Sequence, residues 1–165
     1  MTDEISAEEK IKTELFLDGK SISASKLDLA LEHLGTHTLS LFAQDEAGNK
    51  SAEAKVSFES KTDISAMLSN IDHYFNLKLI TARATKYQLE LKLKIVQEKM
   101  KLLEIFQSKW MPKFIKERVV ENLKKEINRE IDNLISDIQD KKKFGKTIDQ
   151  KAKELLTEGL EGLPL

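Results

Sequence analysis

The residues that could carry chemistry in this chain are few and widely spaced. Its three histidines are His33, His37 and His73, and no carboxylates stand around them at a spacing typical of a metal site. Alternation of the neighbouring residues places His37 on the inward face of a strand, which favours a partly buried structural histidine. Cysteine is absent, so disulfides, thiol nucleophiles and the usual structural zinc ligands are excluded.

Two oxygen-bearing side chains, Asp45 and Asn49, flank a turn and could bind calcium together with backbone carbonyls. The same pair more often stabilises a turn through local side-chain hydrogen bonds, and we prefer that interpretation. Elsewhere the carboxylates recur beside lysines at solvent positions of predicted helices, which argues against a general acid and base pair. The chain has no glycine-rich phosphate loop and no serine nucleophile elbow. We therefore expect no enzyme, no catalytic residues, no metal and no cofactor.

A basic segment from Lys78 to Lys125 is the candidate binding surface. It contains 13 Lys or Arg against 5 Asp or Glu, an excess of 8 positive charges. Such a surface would attract an anionic cell-wall polymer or polysaccharide. Nucleic acid is not expected, because stacking aromatics are scarce. The alternative is an ordinary solvated helix face. The lysines that would form the anionic-polymer face are Lys92, Lys99, Lys109, Lys113 and Lys116.

These lysines lie on and just after a long helix that the sequence predicts from Thr85 to Trp110. Apolar residues recur along it at every third or fourth position: Leu89, Leu93, Val96, Met100, Leu103, Phe106 and Trp110. A second stripe widens this seam and consists of Leu91, Ile95, Leu102 and Ile105. An apolar surface this broad predicts a central helix that packs against helices on one side and β structure on the other.

Three further helices accompany the central one. The first is capped by Thr62 or Asp63. Pro112 separates the central helix from the next, because proline lacks an amide hydrogen and disfavours the helical conformation of the residue before it. That next helix carries the apolar residues Val120, Leu123, Ile127, Ile131, Leu134 and Ile138. It is predicted to end at Phe144-Gly145, and the segment 147–150 resembles a capping box that opens a last helix.

The first 60 residues differ from the rest in net charge and in the spacing of their apolar residues. They hold 6 basic and 12 acidic side chains, whereas residues 61–165 hold 21 basic and 16 acidic ones. A period of two predicts a strand through Leu15 and Leu17, a turn at Asp18-Gly19 and a short return strand at Ile22. Alternation at Leu27, Leu29 and Leu31 predicts another strand, although helical spacing also fits Leu27, Leu31 and Leu34.

The clearest hairpin joins the alternating segments 37–44 and 51–58 through the turn residues 45–49. Together with Leu17-Asp18-Gly19-Lys20 and Gly35-Thr36-His37-Thr38-Leu39, it resembles the C-terminal half of the bacterial immunoglobulin-like modules that repeat in secreted and surface proteins. The resemblance covers residues 13–60 and implies a partial immunoglobulin-like β module, preceded by a lead-in of residues 1–12. The early strands of such a sandwich, which usually has about seven, have no counterpart here.

Residues 61–165 resemble a second family, the FIMAH domain, a helical module that often follows immunoglobulin-like repeats in bacterial extracellular enzymes and adhesins. The matching residues are Tyr74, Ile80, Leu89-Glu90-Leu91-Lys92-Leu93, Gly145-Lys146-Thr147-Ile148, Ala152 and Leu155. This resemblance implies a FIMAH-like helical bundle. The order of the two modules implies a non-catalytic binding or spacer module from the C-terminal region of a secreted or cell-surface bacterial protein.

The expected fold class is therefore α+β, with a short antiparallel sheet followed by a bundle of about four helices. We expect the chain to lie outside the cell as part of a larger protein. The alternative is an intracellular helical interaction protein that recruits a partner through its long amphipathic helices. No apolar run approaches the roughly 18 residues of a membrane span, and the acidic segment Met1 to Glu9 is unlike a signal peptide. The second stripe of the central helix is expected to cover the sheet face that the missing strands leave open; otherwise an upstream segment or a second copy, in a homodimer, must cover it.

Overall fold

The computed structural model describes residues 11–23 and 27–164. Four β-strands are followed along the chain by four α-helices, which confirms the predicted α+β class. The described residues form two compact units, a sheet unit of residues 11–23, 27–29 and 35–60 and a helical unit of residues 30–34 and 61–164. Of the predicted lead-in, residues 1–10 lie outside the described residues.

The sheet unit is a four-stranded antiparallel sheet with the strand order β2-β1-β3-β4. Its strands are β1 (Lys12–Leu17), β2 (Lys20–Ile22), β3 (Gly35–Gln44) and β4 (Ala54–Ser60). The turn between β1 and β2 is the predicted one. Asp18 has a φ of 48° and Gly19 a φ of 77°, and hairpin turns of the I′ type require a positive φ at both central positions.

The register of the sheet places apolar residues in rows on one face. Leu17 pairs with Leu39, and Leu39 pairs with Val56 on the next strand. Leu17 and His37 on this face are buried, whereas Val56 is 55% exposed and Leu41 39% exposed. The predicted apolar face therefore exists, but it is covered only in part.

The strand predicted at Leu27, Leu29 and Leu31 is wrong. Leu29–Leu31 forms one turn of 3₁₀ helix instead. Three alternating leucines do not distinguish a strand from a helical turn, because Leu31 and Leu34 also lie at helical spacing. The helical alternative is not formed at full length either, since the 3₁₀ turn includes neither Leu27 nor Leu34.

The helical unit contains α1 (Ile64–Asn76), α2 (Arg83–Ser108), α3 (Lys113–Gln139) and α4 (Gln150–Glu161). Asp63 caps α1 by accepting a hydrogen bond from the Ala66 amide at 2.7 Å, and Asp149 caps α4 through the Lys151 amide at 2.9 Å. Pro112 stands immediately before α3 and separates it from α2, as predicted.

Residues 30–34, here called the strap, belong to the helical unit although they lie between β2 and β3 in the sequence. The Tyr74 hydroxyl of α1 donates a hydrogen bond to the first carbonyl of the strap. On α4, Glu158 accepts a hydrogen bond from the Leu34 amide at 2.9 Å and lies 2.7 Å from Nδ1 of His33. These contacts tie the strap to both α1 and α4.

The core of the helical unit receives side chains from all four helices and from the links between them. Its most deeply buried members are Ile71, Tyr74, Ile80, Leu89, Leu93, Val96, Ile127, Leu134, Ile138, Ala152 and Leu160. Ile80 and Ile148 form an isolated β-bridge between the α1–α2 link and the α3–α4 link. Gly159 allows α4 to approach α1 closely, since a Cβ at this position would lie 3.2 Å from Cε of Met67.

The far halves of α2 and α3 extend as an antiparallel pair, residues 97–126, here called the arm. At 1.5 Å per residue the 26 residues of α2 span about 39 Å, compared with about 20 Å for the 13 residues of α1. All arm residues belong to the described part of the chain, and among them Leu103 alone is buried. The arm is therefore a helical hairpin with a thin core.

The predicted apolar seam of α2 is confirmed for Leu89, Leu93, Val96 and Leu103, which are all buried. Trp110 lies beyond the end of the helix and is 93% exposed, so its assignment to the seam is wrong. The burial predicted for the second stripe is wrong too. Its members are exposed: Leu91 46%, Ile95 43%, Leu102 45% and Ile105 53%.

Candidate binding surfaces

The five lysines of the predicted anionic-polymer face occupy different environments. Lys92 Nζ lies 2.7 Å from Oδ2 of Asp137 on α3. Lys99 Nζ lies 3.1 Å from carboxylate oxygens of both Glu126 and Glu130. Each of these ammonium groups is therefore neutralised across the α2–α3 interface. Hydrogen bonding to Glu126, followed by hydrogen bonding to Glu130 and the charge of both, raises the pKa of Lys99 despite partial desolvation.

The other three lysines surround the turn between α2 and α3. Lys109 and Lys113 are exposed, and Lys116 is partly buried. Lys113 Nζ is 3.8 Å from a carboxylate oxygen of Glu117, and its side chain is still 89% exposed. About 25 Å of helix separates Lys92 from Lys109, so the structure does not bring the five lysines together. Binding of an anionic polymer by these side chains stays a prediction.

Asp137 lies at the centre of a charge cluster that the sequence does not reveal. Its side chain is 8% exposed and pairs with Lys92 of α2 and with Lys143. Lys143 follows α3 in a turn that ends this helix before the predicted stop at Phe144. Burial raises the pKa of Asp137, but hydrogen bonds from Lys143 and Lys92 outweigh burial, so the pKa lies below its ordinary value.

A cleft of about 430 Å³ opens beside this cluster. Its lining residues are Ala84, Thr85, Gln88, Lys92, Asp137, Lys143 and Phe144. The carboxylate in the cleft already accepts hydrogen bonds from two ammonium groups, and Thr85 and Thr147 share a hydrogen bond of 2.7 Å. The polar groups therefore satisfy one another, and the cluster fastens α2, α3 and the turn after α3.

Two of the histidines, His37 and His33, make side-chain contacts within their own unit. His37 Nδ1 lies 2.7 Å from Oδ2 of Asp18, and its Nε2 lies 3.1 Å from Oγ of Ser60. Hydrogen bonds from His37 and from the Thr38 amide lower the pKa of Asp18. His33 contacts Glu158, as described above. The interpretation of His37 as a buried structural histidine is confirmed by its 5% exposure.

The Asp45 and Asn49 turn uses its oxygen atoms locally. Asp45 Oδ1 accepts a hydrogen bond from the Asn49 amide, and Oδ2 accepts one from the Asn49 side chain, both at 2.8 Å. These bonds lower the pKa of Asp45. The preferred interpretation, a turn stabilised by side-chain hydrogen bonds, is confirmed.

Residues 11–23 and 27–164 contain no group of three or more His, Asp or Glu side chains placed to hold a metal ion. In the same ranges, no helix has both the length and the apolar character needed to pass through a lipid bilayer. Comparison with protein families, with curated proteins and with solved structures found no match to this chain.

Besides the partly covered face of the sheet, two exposed apolar surfaces lie among the described residues of the helical unit, and the sequence placed the first of them, and Trp110 of the second, in an apolar seam. The first is the second stripe of α2, here called the outer stripe, whose periodicity cannot be told from that of a buried seam. The second is formed by Trp110, Phe114 and Ile115, which are 93%, 73% and 41% exposed. A signal for the second surface was present, because Pro112 ends α2 and so removes Trp110 from the helical period.

Proposed function

We propose that this chain is a non-catalytic binding module whose helical unit recruits a protein partner through the outer stripe of α2. The exposure of the four stripe side chains, 43% to 53% each, is the observation that supports this proposal. At 100° per residue, the four positions lie within an arc of about 80° on one side of the helix. Glu98, which pairs with Lys101, lies in the same arc between Ile95 and Leu102. Exposed apolar side chains grouped on one face of a helix mark interaction sites in many proteins.

The shape of the outer stripe favours an amphipathic helix as the partner. Leu91 and Ile105 are separated by about 21 Å along a straight helix, and the stripe positions follow the alternation of three and four residues that helix pairs use. Lysines lie along both margins of the stripe, but Lys92 and Lys99 are paired with carboxylates of α3 and Lys101 is paired with Glu98. The exposed Lys94 also lies on one margin, so a partner helix with an acidic side chain facing that margin is favoured.

The resemblance to immunoglobulin-like repeats followed by a FIMAH domain supports a place in the C-terminal region of a secreted or cell-surface bacterial protein. The outer stripe equally favours the alternative, an intracellular helical interaction protein. Labelling intact source cells with a membrane-impermeant amine reagent separates the two locations. Labelling of the chain before lysis is expected for the surface location, and labelling only after lysis supports the intracellular one.

Site-specific photocrosslinking tests the binding surface. A photoreactive residue replaces Ile95 or Leu102 in the full chain, and the control carries it at Asp132, an exposed position of α3. We expect both stripe positions to crosslink to the same protein and the control position to give no product. The purified partner should then bind Ile95→Glu or Leu102→Glu at least about tenfold more weakly than the unmodified chain. Equal products at the stripe and control positions, or no product at any position, would contradict the proposal.

A further inference from the structure

The end of the arm combines exposed aromatic and aliphatic side chains with lysines. Residues 109–116, here called the tip, contain three lysines and no acidic residue. Between the lysines stand Trp110, Met111, Phe114 and Ile115. The tip therefore presents apolar groups and positive charge on the same eight-residue surface.

The tip is held in place by the backbone rather than by its side chains. The Lys109 amide donates to the Ile105 carbonyl at 3.0 Å and closes α2. The Pro112 carbonyl accepts from the Ile115 and Lys116 amides, both at 3.0 Å, and opens α3. Trp110 and Phe114 contribute little to this turn, since 93% and 73% of their surfaces are exposed. Most of their apolar surface therefore does not pack against the helical unit.

We propose that the tip docks onto the surface of an anionic lipid bilayer, with Trp110 and Phe114 in the interfacial layer and the lysines among the headgroups. Tryptophan favours the boundary between headgroups and acyl chains, where its ring is in an apolar layer and its N–H reaches polar groups. Lysines beside such an apolar anchor are attracted by the negative potential of an anionic membrane. The tip supplies both the aromatic anchor and the positive charge.

Other occupants fit the tip less well. The tip has only eight residues, and unlike the outer stripe it does not run along several turns of one helix that a partner helix could follow. A hydrophilic anionic polymer would match the lysines but would leave Phe114 and Ile115 in water. Binding to a bilayer surface requires no shaped cavity on the protein. The bilayer accepts the apolar side chains in its interfacial layer and the lysines among its headgroups. Docking at the tip uses residues distinct from the outer stripe, so this inference does not depend on the proposed partner helix.

The chain contains one tryptophan, so its fluorescence reports on the tip directly. The full chain would be mixed with vesicles of phosphatidylglycerol and phosphatidylcholine at low salt, and separately with pure phosphatidylcholine vesicles. We expect a blue shift of Trp110 emission, and quenching by brominated acyl chains, with the anionic vesicles alone. Co-sedimentation should show at least about tenfold weaker partitioning for Trp110→Ala, which removes the aromatic anchor, and partial recovery for Trp110→Phe.

Two triple variants with the same change in net charge separate tip docking from general attraction. Lys109→Gln, Lys113→Gln and Lys116→Gln together should weaken partitioning by about a hundredfold, because each lysine near an anionic surface contributes about fivefold. The control combines Lys141→Gln, Lys142→Gln and Lys146→Gln, three exposed lysines in the turn after α3. It should change partitioning severalfold at most. Circular dichroism would establish that both variants keep the helical content of the unmodified chain.

Several outcomes would overturn the inference. One is unshifted Trp110 emission with anionic vesicles at low salt. Another is an equal loss of partitioning in the two triple variants, which would show attraction by net charge alone. Trp110 emission that is blue-shifted in the absence of lipid, and that iodide does not quench, would show that a second copy covers the tip. A shift induced equally by soluble polyglutamate would assign the tip to anionic polymers.

Discussion

Asp137 illustrates how a single buried carboxylate can join several elements. It lies on α3, pairs with Lys92 of α2 and with Lys143 of the following turn, and keeps only 8% of its side chain exposed. A buried carboxylate without partners would be costly, whereas two charge-assisted hydrogen bonds offset its desolvation. The cluster therefore specifies the pairing of α2 with α3 at the base of the arm.

Replacing Asp137 with Asn should lower the free energy of unfolding at pH 7 by about 1–2 kcal/mol, a modest loss because both ammonium groups reach solvent. The folded-state pKa of Asp137 is lowered, so its stabilising contribution is fully present above the unfolded-state value of about 3.9. The contribution is lost as the pH falls through the folded-state pKa. Urea unfolding between pH 7 and pH 2 should show the difference between the two proteins shrinking below about pH 4.

Asp132→Asn is the matched control for this experiment, since Asp132 is exposed on the same helix. It should change the unfolding free energy by less than about 0.5 kcal/mol at any pH in this range. A difference between Asp137→Asn and the unmodified chain that is constant with pH would contradict the assigned role of the carboxylate charge.

At the scale of the elements, the arm depends on very few apolar contacts. Leu103 is its single buried side chain, supported by the partly buried Met100, Val120 and Leu123. Surface ion pairs such as Lys125–Glu121 add little, because exposed pairs are screened and cost side-chain entropy. We therefore expect the arm to open more readily than the base of the bundle.

Leu103→Ala should destabilise the arm by about 2–3 kcal/mol, through lost burial and a residual cavity that the thin core can partly close. Hydrogen exchange should accelerate at amides of residues 97–126 and change much less around Ile131 and Leu134. The adjacent Leu102→Ala is the control, because Leu102 is 45% exposed and its truncation should cost less than about 0.5 kcal/mol. Similar exchange in the two variants would contradict the thin-core description.

Periodicity, caps and turn residues in the sequence predict most of the elements. Pro112, Asp63 and Asp18-Gly19 mark boundaries through local backbone chemistry, which needs no knowledge of the rest of the fold. The outer stripe could not be predicted as exposed. Leu91 and Leu93 have the same residue type, and only the positions of α1 and α3 decide which of them is buried.

The candidate surfaces were predicted still less completely. Lys92 and Lys109 are equivalent in sequence, yet one is paired with Asp137, which lies 45 residues away, and the other is not. Local charge density cannot reveal such a partner. The strap was missed for the same reason, since its hydrogen bonds to Tyr74 and Glu158 span 44 and 124 residues.

At the scale of the whole molecule, the chain passes between the two units at the strap as well as after Ser60. The chain leaves the sheet unit after Leu29, forms the strap, and re-enters the sheet unit at Gly35. All buried apolar residues of the helical core nevertheless lie between Ile64 and Leu163. The helical unit thus has its core in one continuous segment and a small accessory contact from elsewhere.

A fragment of residues 61–165 should therefore unfold in one cooperative thermal transition, at a lower temperature than the helical unit of the full chain. In the full chain Tyr74→Phe should cost about 1 kcal/mol, because the hydroxyl loses its bond to the strap. In the fragment the same substitution should cost less than in the full chain, since the Ala30 acceptor is missing. A cost that is equal in both backgrounds, or a fragment without a cooperative transition, would contradict this description.

The strap also sets an order of events during synthesis. Its residues leave the ribosome before any helix of the unit they belong to, and the Glu158 acceptor is made 124 residues after the Leu34 amide that it binds. The hairpins β1–β2 and β3–β4, which lie before and after the strap, can form early because their contacts are local, whereas the strap must wait for α4. Docking of the strap therefore closes a loop of 124 residues, and it falls late in folding because distant segments must meet.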